Sequence, residues 1–375
     1  MRLISLQENL KRGLNIVGHI TTKNINLPIL NNILFRVENG NIELVGTNLE
    51  VGITYQLRGK IEGEGAFTVD SKLITEYVNL LSSGEKVKIE EKENELKVEC
   101  GSYKTKIKGE SAKEYPLIPA ISKEKYYSGR IDDFRKALNS VIFAVSTSEN
   151  RVELTGVLFS FFEDKLCLAA TDSYRLAEKE LVVRNNGLSG EYKVIVPAKT
   201  TQELLRILNN LETISLEQNN GEIKIYLSDN QILFSVDSVD LISRLISGHY
   251  PDYKQIIPTQ SQTKILVDKQ ELLRATKAAA LFSKTGINDI SLGFYKNKIV
   301  VSSFSGASGE SQIEIEAEID GPDNEITINY RFLLDGLNNI DTDLVRIFIL
   351  NTNSPCLLKT EKGEDYLYIV MPIKQ

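Results

Sequence analysis

Thr47 and Thr171 each sit in a short apolar, turn, apolar stretch, and they stand 124 residues apart in a chain of 375. The later stretch runs LAATDSYRLAEKEL from Leu168 to Leu181, the earlier one ELVGTNLE from Glu43 to Glu50. In both, Thr followed by Asp or Asn supplies side chains that bond their own backbone in a turn between two strands. A third of the chain is 125 residues, so the spacing makes a threefold repeat the first constraint on the fold.

The rest of the chain obeys that period. Apolar residues three or four apart predict helices from Leu6 through Val17, from Ile131 through Ile142 and from Val267 through Phe282, with Ser5, Asp132 and Asp268 placed as N-caps. Each is followed by a predicted hairpin: Ile29 to Val37 with Ile42 to Val45, Gly156 to Phe162 with Lys165 to Ala170, and Ile290 to Tyr295 with Lys298 to Ser303. A strand then leads into a second helix near Leu73, Leu204 and Phe332, and alternating strands close each third. Pro116 and Pro119, then Pro251 and Pro258, mark seams. The chain therefore reads as three α+β domains of one fold, spanning 1–125, 126–250 and 251–375, which suits a length too great for one ordinary core.

Composition removes several classes of function. No apolar run approaches the roughly 20 residues that cross a bilayer, and the N-terminal MRLISLQENLKRG lacks the basic-then-apolar order of a secretory leader, so a cytoplasmic protein without membrane contact is expected. Cys100, Cys167 and Cys356 are far apart and odd in number, which argues against a disulfide framework, and they read as buried apolar groups. His19 and His249 have no second ligand nearby, so neither a metal site nor histidine-based catalysis is expected, and no cofactor. Two other classes stay open: an α+β hydrolase using Asp172 and Asp252 as an acid/base pair, although no glycine-rich phosphate loop accompanies them, and a repetitive protein scaffold that binds no DNA.

The segments FAVSTSENRVELTGVLF from Phe143, LAATDSYRLA from Leu168, HYPDYKQIIP from His249, LPILNNILF from Leu27 and the terminal IVMPIKQ resemble, in order along the whole chain, the bacterial replicative sliding clamp, the beta subunit of the DNA polymerase III holoenzyme. The resemblance implies the DNA-clamp fold three times over, helices lining a central hole with antiparallel sheets outside, in a head-to-tail dimeric ring. It also implies a non-catalytic processivity factor that encircles duplex DNA. The implied partners are double-stranded DNA, the polymerase III catalytic subunit, an ATP-driven clamp loader and other replication and repair proteins that carry short clamp-binding peptides.

A net charge of −7 sits badly with tight binding to a polyanion, but a ring holds DNA by topology and must slide. Basic residues lie on the predicted helices: Lys11, Arg12, Lys72, Arg135, Lys136, Lys199, Arg206, Arg274, Lys277 and Arg331. Any solvated helix face carries such residues too. By motif, DNA contacts fall on Arg151, Lys199 and Asn329; Lys72 is added from its helix, and Lys23 stands in where some members have Arg before the LPIL segment. The partner-peptide cleft falls on Thr171, Ser173, Arg175, Leu176, Pro251, Ile256, Met371, Pro372 and Ile373, an apolar pocket with a polar rim. For the dimer interface, strand periodicity puts Lys104 and Lys106 on one face of one strand, beside Ile107, and Glu310, Glu314 and Glu316 on one face of another, with Leu272 and Leu273 as apolar contributors.

Overall fold

Three helices start where a short polar side chain bonds a free N–H group of the first turn. The computed structural model describes residues 1–21, 26–215, 221–284, 286–363 and 365–374, and among these six α-helices fall two to a repeat: α1 (Gln7–Val17), α2 (Ser71–Asn79), α3 (Ile131–Ile142), α4 (Ala198–Ser215), α5 (Lys269–Ala280) and α6 (Tyr330–Asn338). Asp268 caps α5 as expected, accepting from Glu271 N at 2.8 Å, and Asp70 and Asn329 do the same for α2 and α6.

Two expected caps are not used. Ser5 belongs to the strand Arg2–Leu6, paired on both sides, and its hydroxyl donates to Arg58 O at 2.7 Å instead; Leu6 precedes α1 with no side-chain bond. Asp132 lies inside the first turn of α3, because the helix leaves the strand Tyr126–Arg130 with no intervening residue. There its carboxylate faces the positive end of the helix and pairs with Arg135 at 3.4 Å.

The predicted hairpins form with small shifts at their ends. Pro28, which has no N–H to give a ladder, opens a 3-10 turn over Pro28–Asn31, so the first strand runs Asn32–Glu38 and starts later than expected. The central hairpin is Gly156–Phe162 with Lys165–Thr171, and the third is Asp289–Tyr295 with Lys298–Ser305. All three cysteines are buried and free, as expected of small apolar groups.

Contacts gather the chain into two compact units, one of Met1–Ile131, Asn185–Leu188 and Arg206–Leu245, the other of Asp132–Arg184, Ser189–Leu205 and Ile246–Gln375, so the middle third serves both. Within each unit, one junction between repeats is made by strand pairing. In the first unit the third strand of repeat one, Val51–Gln56, pairs antiparallel with the last strand of repeat two, Val239–Arg244, and Gly52 faces Ile242. In the second unit the third strand of repeat two, Arg175–Val182, pairs with the last strand of repeat three, Tyr366–Val370, and Leu176 faces Ile369. Gly52 and Leu176 are equivalent, since they face Thr47 and Thr171 across their hairpins. The two junctions share one rule and one register.

Two strands follow that rule only halfway. Tyr103–Ser111, the last strand of repeat one, pairs with Glu95–Cys100 along Tyr103 to Lys108 and crosses to a second partner only at Gly109 to Ser111. Gly309–Asp320, the third strand of repeat three, pairs with Lys298–Ser305 along Gly309 to Glu316 and crosses only at Ala317 to Asp320. Among the described residues, each leaves the other edge of its first half without a strand partner.

Candidate functional site

The hairpin tip at Thr171 is built by its own side chains. The Thr171 hydroxyl donates to Arg175 O at 2.6 Å and accepts from Ser173 N at 3.1 Å, while Asp172 Oδ1 accepts from Tyr174 N and Arg175 N at 2.9 and 3.0 Å. These four bonds hold Ser173 at φ +78°, a left-handed conformation that a residue with a Cβ adopts only when its surroundings fix it. The N–H of Thr171 donates to the Tyr250 hydroxyl at 3.0 Å. Asp172 is thus engaged as a turn organiser and by Arg175, and Asp252 accepts from Gln255 at 2.9 Å.

The C-terminal tail is brought to the same tip. The last strand, Tyr366–Val370, is buried along its length, as its apolar pattern implies, and Met371 N donates to Tyr174 O at 2.9 Å. Ile373 N bonds Thr327 O at 2.8 Å and Pro372 bridges to Ile328, so the tail is paired and not frayed. Met371, Tyr250 and Ile257 pack on a buried cluster of Leu158, Ala169, Leu176, Ile195, Tyr253 and Ile369. Pro251 is half-buried and Ile256 exposed beside them. A cavity of about 260 Å³ lies between this loop and Leu158, Cys167, Lys193 and Ile195.

Two expected lining residues take other roles. Leu176 is wholly buried in that cluster and forms its floor. Arg175, its neighbour along the strand, points to the opposite face by the alternation of side chains. Its guanidinium bonds Asp172 and Asp335 and lies over the rings of Phe332 and Phe143, 4.6 and 5.6 Å from their centroids. It braces the tip from behind and is not a free donor at the rim. The cation that does reach the rim is Arg151, which donates to Ser173 Oγ at 3.3 Å and pairs with Glu153 at 3.0 Å.

The other expected DNA contacts each lie within their own element. Lys199 is exposed at the start of α4, Lys72 is exposed on α2 and pairs with Glu76 at 3.7 Å, and Asn329 spends its side-chain oxygen on the α6 cap. Arg206, counted among the helix cations, donates to Asn15 O and Ile16 O and so closes the C-terminal end of α1. Lys23 lies outside the described residues.

At the two open half-strands, Lys104, Lys106 and Glu310 are exposed as expected, with Lys106 3.5 Å from Glu95 and Glu314 2.8 Å from Lys298 within the chain. Ile107 faces inward and is buried, and Leu272 and Leu273 are buried on the core side of α5. The apolar groups exposed near these strands are others: Leu281, 75% exposed just past α5, Phe304, 62% exposed opposite Glu310, and Tyr103. The helix period alone cannot tell a core stripe from an interface stripe, which is why Leu272 and Leu273 misled.

Tyr250, Tyr253, Glu178 and Cys167 were not foreseen. The Tyr253 hydroxyl donates to the buried Glu178 carboxylate, and the Cys167 thiol lies 3.7 Å from that hydroxyl. Cys167, Glu178 and Glu180 bring their ligand atoms within 4.8 Å of one another, but the set does not fit a metal. Glu178 is engaged by Tyr253 and Glu180 by Lys165 at 3.6 Å, while burial, then the nearby Glu178 charge, push the Cys167 thiol up to about 12 and keep it protonated. A signal was present in the sequence, because Tyr250-Pro251 repeats Tyr115-Pro116.

Comparison with known proteins gives one answer along the whole chain. Family models of the N-terminal, central and C-terminal domains of the DNA polymerase III beta subunit match residues 1–119, 130–252 and 254–374. The beta sliding clamp of Staphylococcus aureus is 29% identical over 359 residues, 93% of this chain and 92% of that protein, and that of Synechococcus elongatus is 28% identical over 382 residues, 100% and 99%. The solved sliding clamp of Pseudomonas aeruginosa bound to griselimycin superimposes with a TM-score of 0.93 at 26% identity, covering 100% of both chains.

Proposed function

The chain belongs to the family of the DNA polymerase III beta subunit, the sliding clamps, which confer processivity on a polymerase and are not enzymes, and on that premise we propose how this chain forms its ring and holds its partners. Two copies join head to tail around duplex DNA. The observation that carries this is the shared junction rule. The third strand of one repeat pairs with the last strand of the next, twice, and the two strands left with an open edge are a third strand, Gly309–Asp320, and a last strand, Tyr103–Ser111. A second copy supplies the missing neighbour for each, and the contact is heterologous.

The same register, carried over to the second copy, supports one pairing. Glu310 faces Phe304 as Leu176 faces Thr171, and Lys106 follows Tyr103 by the step that separates Ile242 from Val239, so Glu310 of one copy lies opposite Lys106 of the other and Gln312 opposite Lys104. Glu314 and Glu316 then fall past the end of the contact. Opposite charges on facing strands favour this pairing, and closure removes two edges open to aggregation. Leu281, Phe304 and Tyr103 supply the apolar part in place of Leu272 and Leu273.

Three repeats, 1–125, 126–250 and 251–375, each contribute to the ring. DNA is contacted through Lys72, Lys199, Asn329 and Lys23, sparsely enough for sliding, and Arg151 serves the cleft as well as the DNA. The cleft formed by the Thr171 tip, Pro251, Ile256 and Met371 to Ile373 takes apolar-anchored peptides of the polymerase catalytic subunit, the ATP-driven loader and other replication and repair proteins. The site of action is the cytoplasm, and no described helix is long and apolar enough to cross a membrane. The test is topological: chain loaded on nicked circular DNA is retained and is lost when the circle is linearised. Equal retention on both forms refutes the ring.

A further inference from the structure

Under the 249–256 loop, the second unit buries a polar group that its scaffold does not require. Glu178 is 7% exposed and accepts a hydrogen bond from Tyr253, which is 6% exposed, with the Cys167 thiol 3.7 Å away. Leu158, Ala169, Leu176 and Ile195 surround them. A carboxylate drawn from water into such surroundings costs stability unless it is bonded, and even a well-bonded buried charge is often no better than an apolar replacement.

The first unit does without the carboxylate. Aligned on Thr47 and Thr171, Glu178 corresponds to Thr54; aligned on Tyr115-Pro116 and Tyr250-Pro251, Tyr253 corresponds to Ile118. Ile118 rests on the strand at Gly52, where an added Cβ would stand 2.7 Å from its Cδ1, and it packs against Leu34, Val45 and Tyr115. The junction rule, the register and the hairpin tip are the same there without any buried carboxylate. Since folding does not ask for the Tyr253–Glu178 pair, its use lies elsewhere, and what it touches is the loop that carries Pro251 and Ile256.

We infer that Tyr253 and Glu178 are positioning residues of the cleft, which hold the 249–256 loop in one arrangement on the sheet so that Pro251 and Ile256 meet a partner peptide already in place. The inference rests on the cleft reading given above. A ring packed on Leu176 and Leu158 alone can tilt or slide while burying the same area, whereas a hydroxyl bonded to a fixed carboxylate is directional and removes that freedom. With the Tyr250 hydroxyl bound to Thr171 N, the loop is pinned at two points, and the peptide does not pay to order it.

Three variants test the inference: Tyr253→Phe, which removes only the hydroxyl; Glu178→Gln, which keeps an acceptor; and Glu178→Leu with Tyr253→Phe, which removes both polar groups at once. Each full-length chain is titrated with griselimycin by calorimetry and melted in parallel. Tyr253→Phe is expected to bind about tenfold more weakly, with a less favourable binding entropy, as a loop that must be ordered on binding requires. Glu178→Gln retains most of the affinity, and the apolar double variant melts at or above the parent temperature while binding as weakly as Tyr253→Phe. Folded Tyr253→Phe that binds within twofold of the parent overturns the inference, and so does a loss of affinity that tracks melting temperature across all three. If the parent itself does not bind griselimycin, the cleft reading fails and takes the inference with it; that outcome shows in the parent, the others only in the variants.

Discussion

Thr47-Asn48-Leu49-Glu50 and Thr171-Asp172-Ser173-Tyr174 are folded by the same bonds and face different tasks. Thr47 Oγ1 donates to Val51 O at 2.9 Å and accepts from Leu49 N at 3.0 Å, Asn48 Oδ1 accepts from Glu50 N and Val51 N at 3.1 and 2.8 Å, and Leu49 sits at φ +75°. Arg244 N meets Glu50 O at 3.0 Å as Met371 N meets Tyr174 O at 2.9 Å. In each tip the Thr and Asx side chains make the same four bonds, which leaves the other positions room to differ. What differs is Gly52 against Leu176, Ile118 against Tyr253 and Arg244 against Met371. In the first unit the linker lies down on a glycine; in the second a leucine fills that space beneath the loop.

The comparison breaks hardest at its floor. Leu176→Ala removes a fully buried side chain and is expected to cost about 2–5 kcal/mol in urea or guanidinium unfolding, which spoils the cleft by loosening its base. A loss under 1 kcal/mol would mean that the cluster does not depend on Leu176. Next come the paired turn variants. Asp172→Ala strips two backbone N–H groups and Arg175 of their acceptor, for roughly 2–3 kcal/mol, while Asn48→Ala strips two N–H groups only and costs roughly 1–2 kcal/mol. Only the former should weaken griselimycin binding in calorimetry, and equal effects on binding would erase the distinction between the tips.

A smaller change sharpens the contrast from the surface. Ile256→Ala with Met371→Ala truncates groups that are not fully buried, so stability should hold within about 1 kcal/mol while griselimycin affinity falls about tenfold or more, with the dimer unaltered in light scattering. Smallest is the change in a thiol. Burial and Glu178 push Cys167 up to about 12, so iodoacetamide at pH 8 should leave it untouched in the parent and label it several-fold faster in Tyr253→Phe, as judged by mass spectrometry. Unchanged labelling would show that the loop stays shut without the hydroxyl.

Much of the fold was legible because period and turn chemistry are local. Helices and hairpins follow from apolar spacing and from Asn39-Gly40 or Lys296-Asn297, and the repeat follows from two Thr-Asx stretches. That the chain ends in a buried strand was legible too, from the apolar run before Met371, while the tail's place at the tip followed only from the resemblance. The direction of single side chains was not legible. Arg175 and Leu176 differ by one step along a strand and therefore by a whole face, and the helix period that includes Leu272 and Leu273 does not say whether its stripe meets the core or solvent. The Tyr253–Glu178 bond joins residues 75 apart, and no local pattern announces it.

The junction register has a further consequence for how such a collar comes apart. The seams at Gly52 and at Leu176 lie within a single chain, so strands that part there stay leashed and meet again at the high effective concentration their tether imposes. On the pairing proposed above, the seam between Tyr103–Lys108 of one copy and Gly309–Ile313 of the other would have the same strand geometry and no leash. In the proposed ring, equal bonds would make unequal hinges, and the door onto DNA would be the seam where the polypeptide is discontinuous.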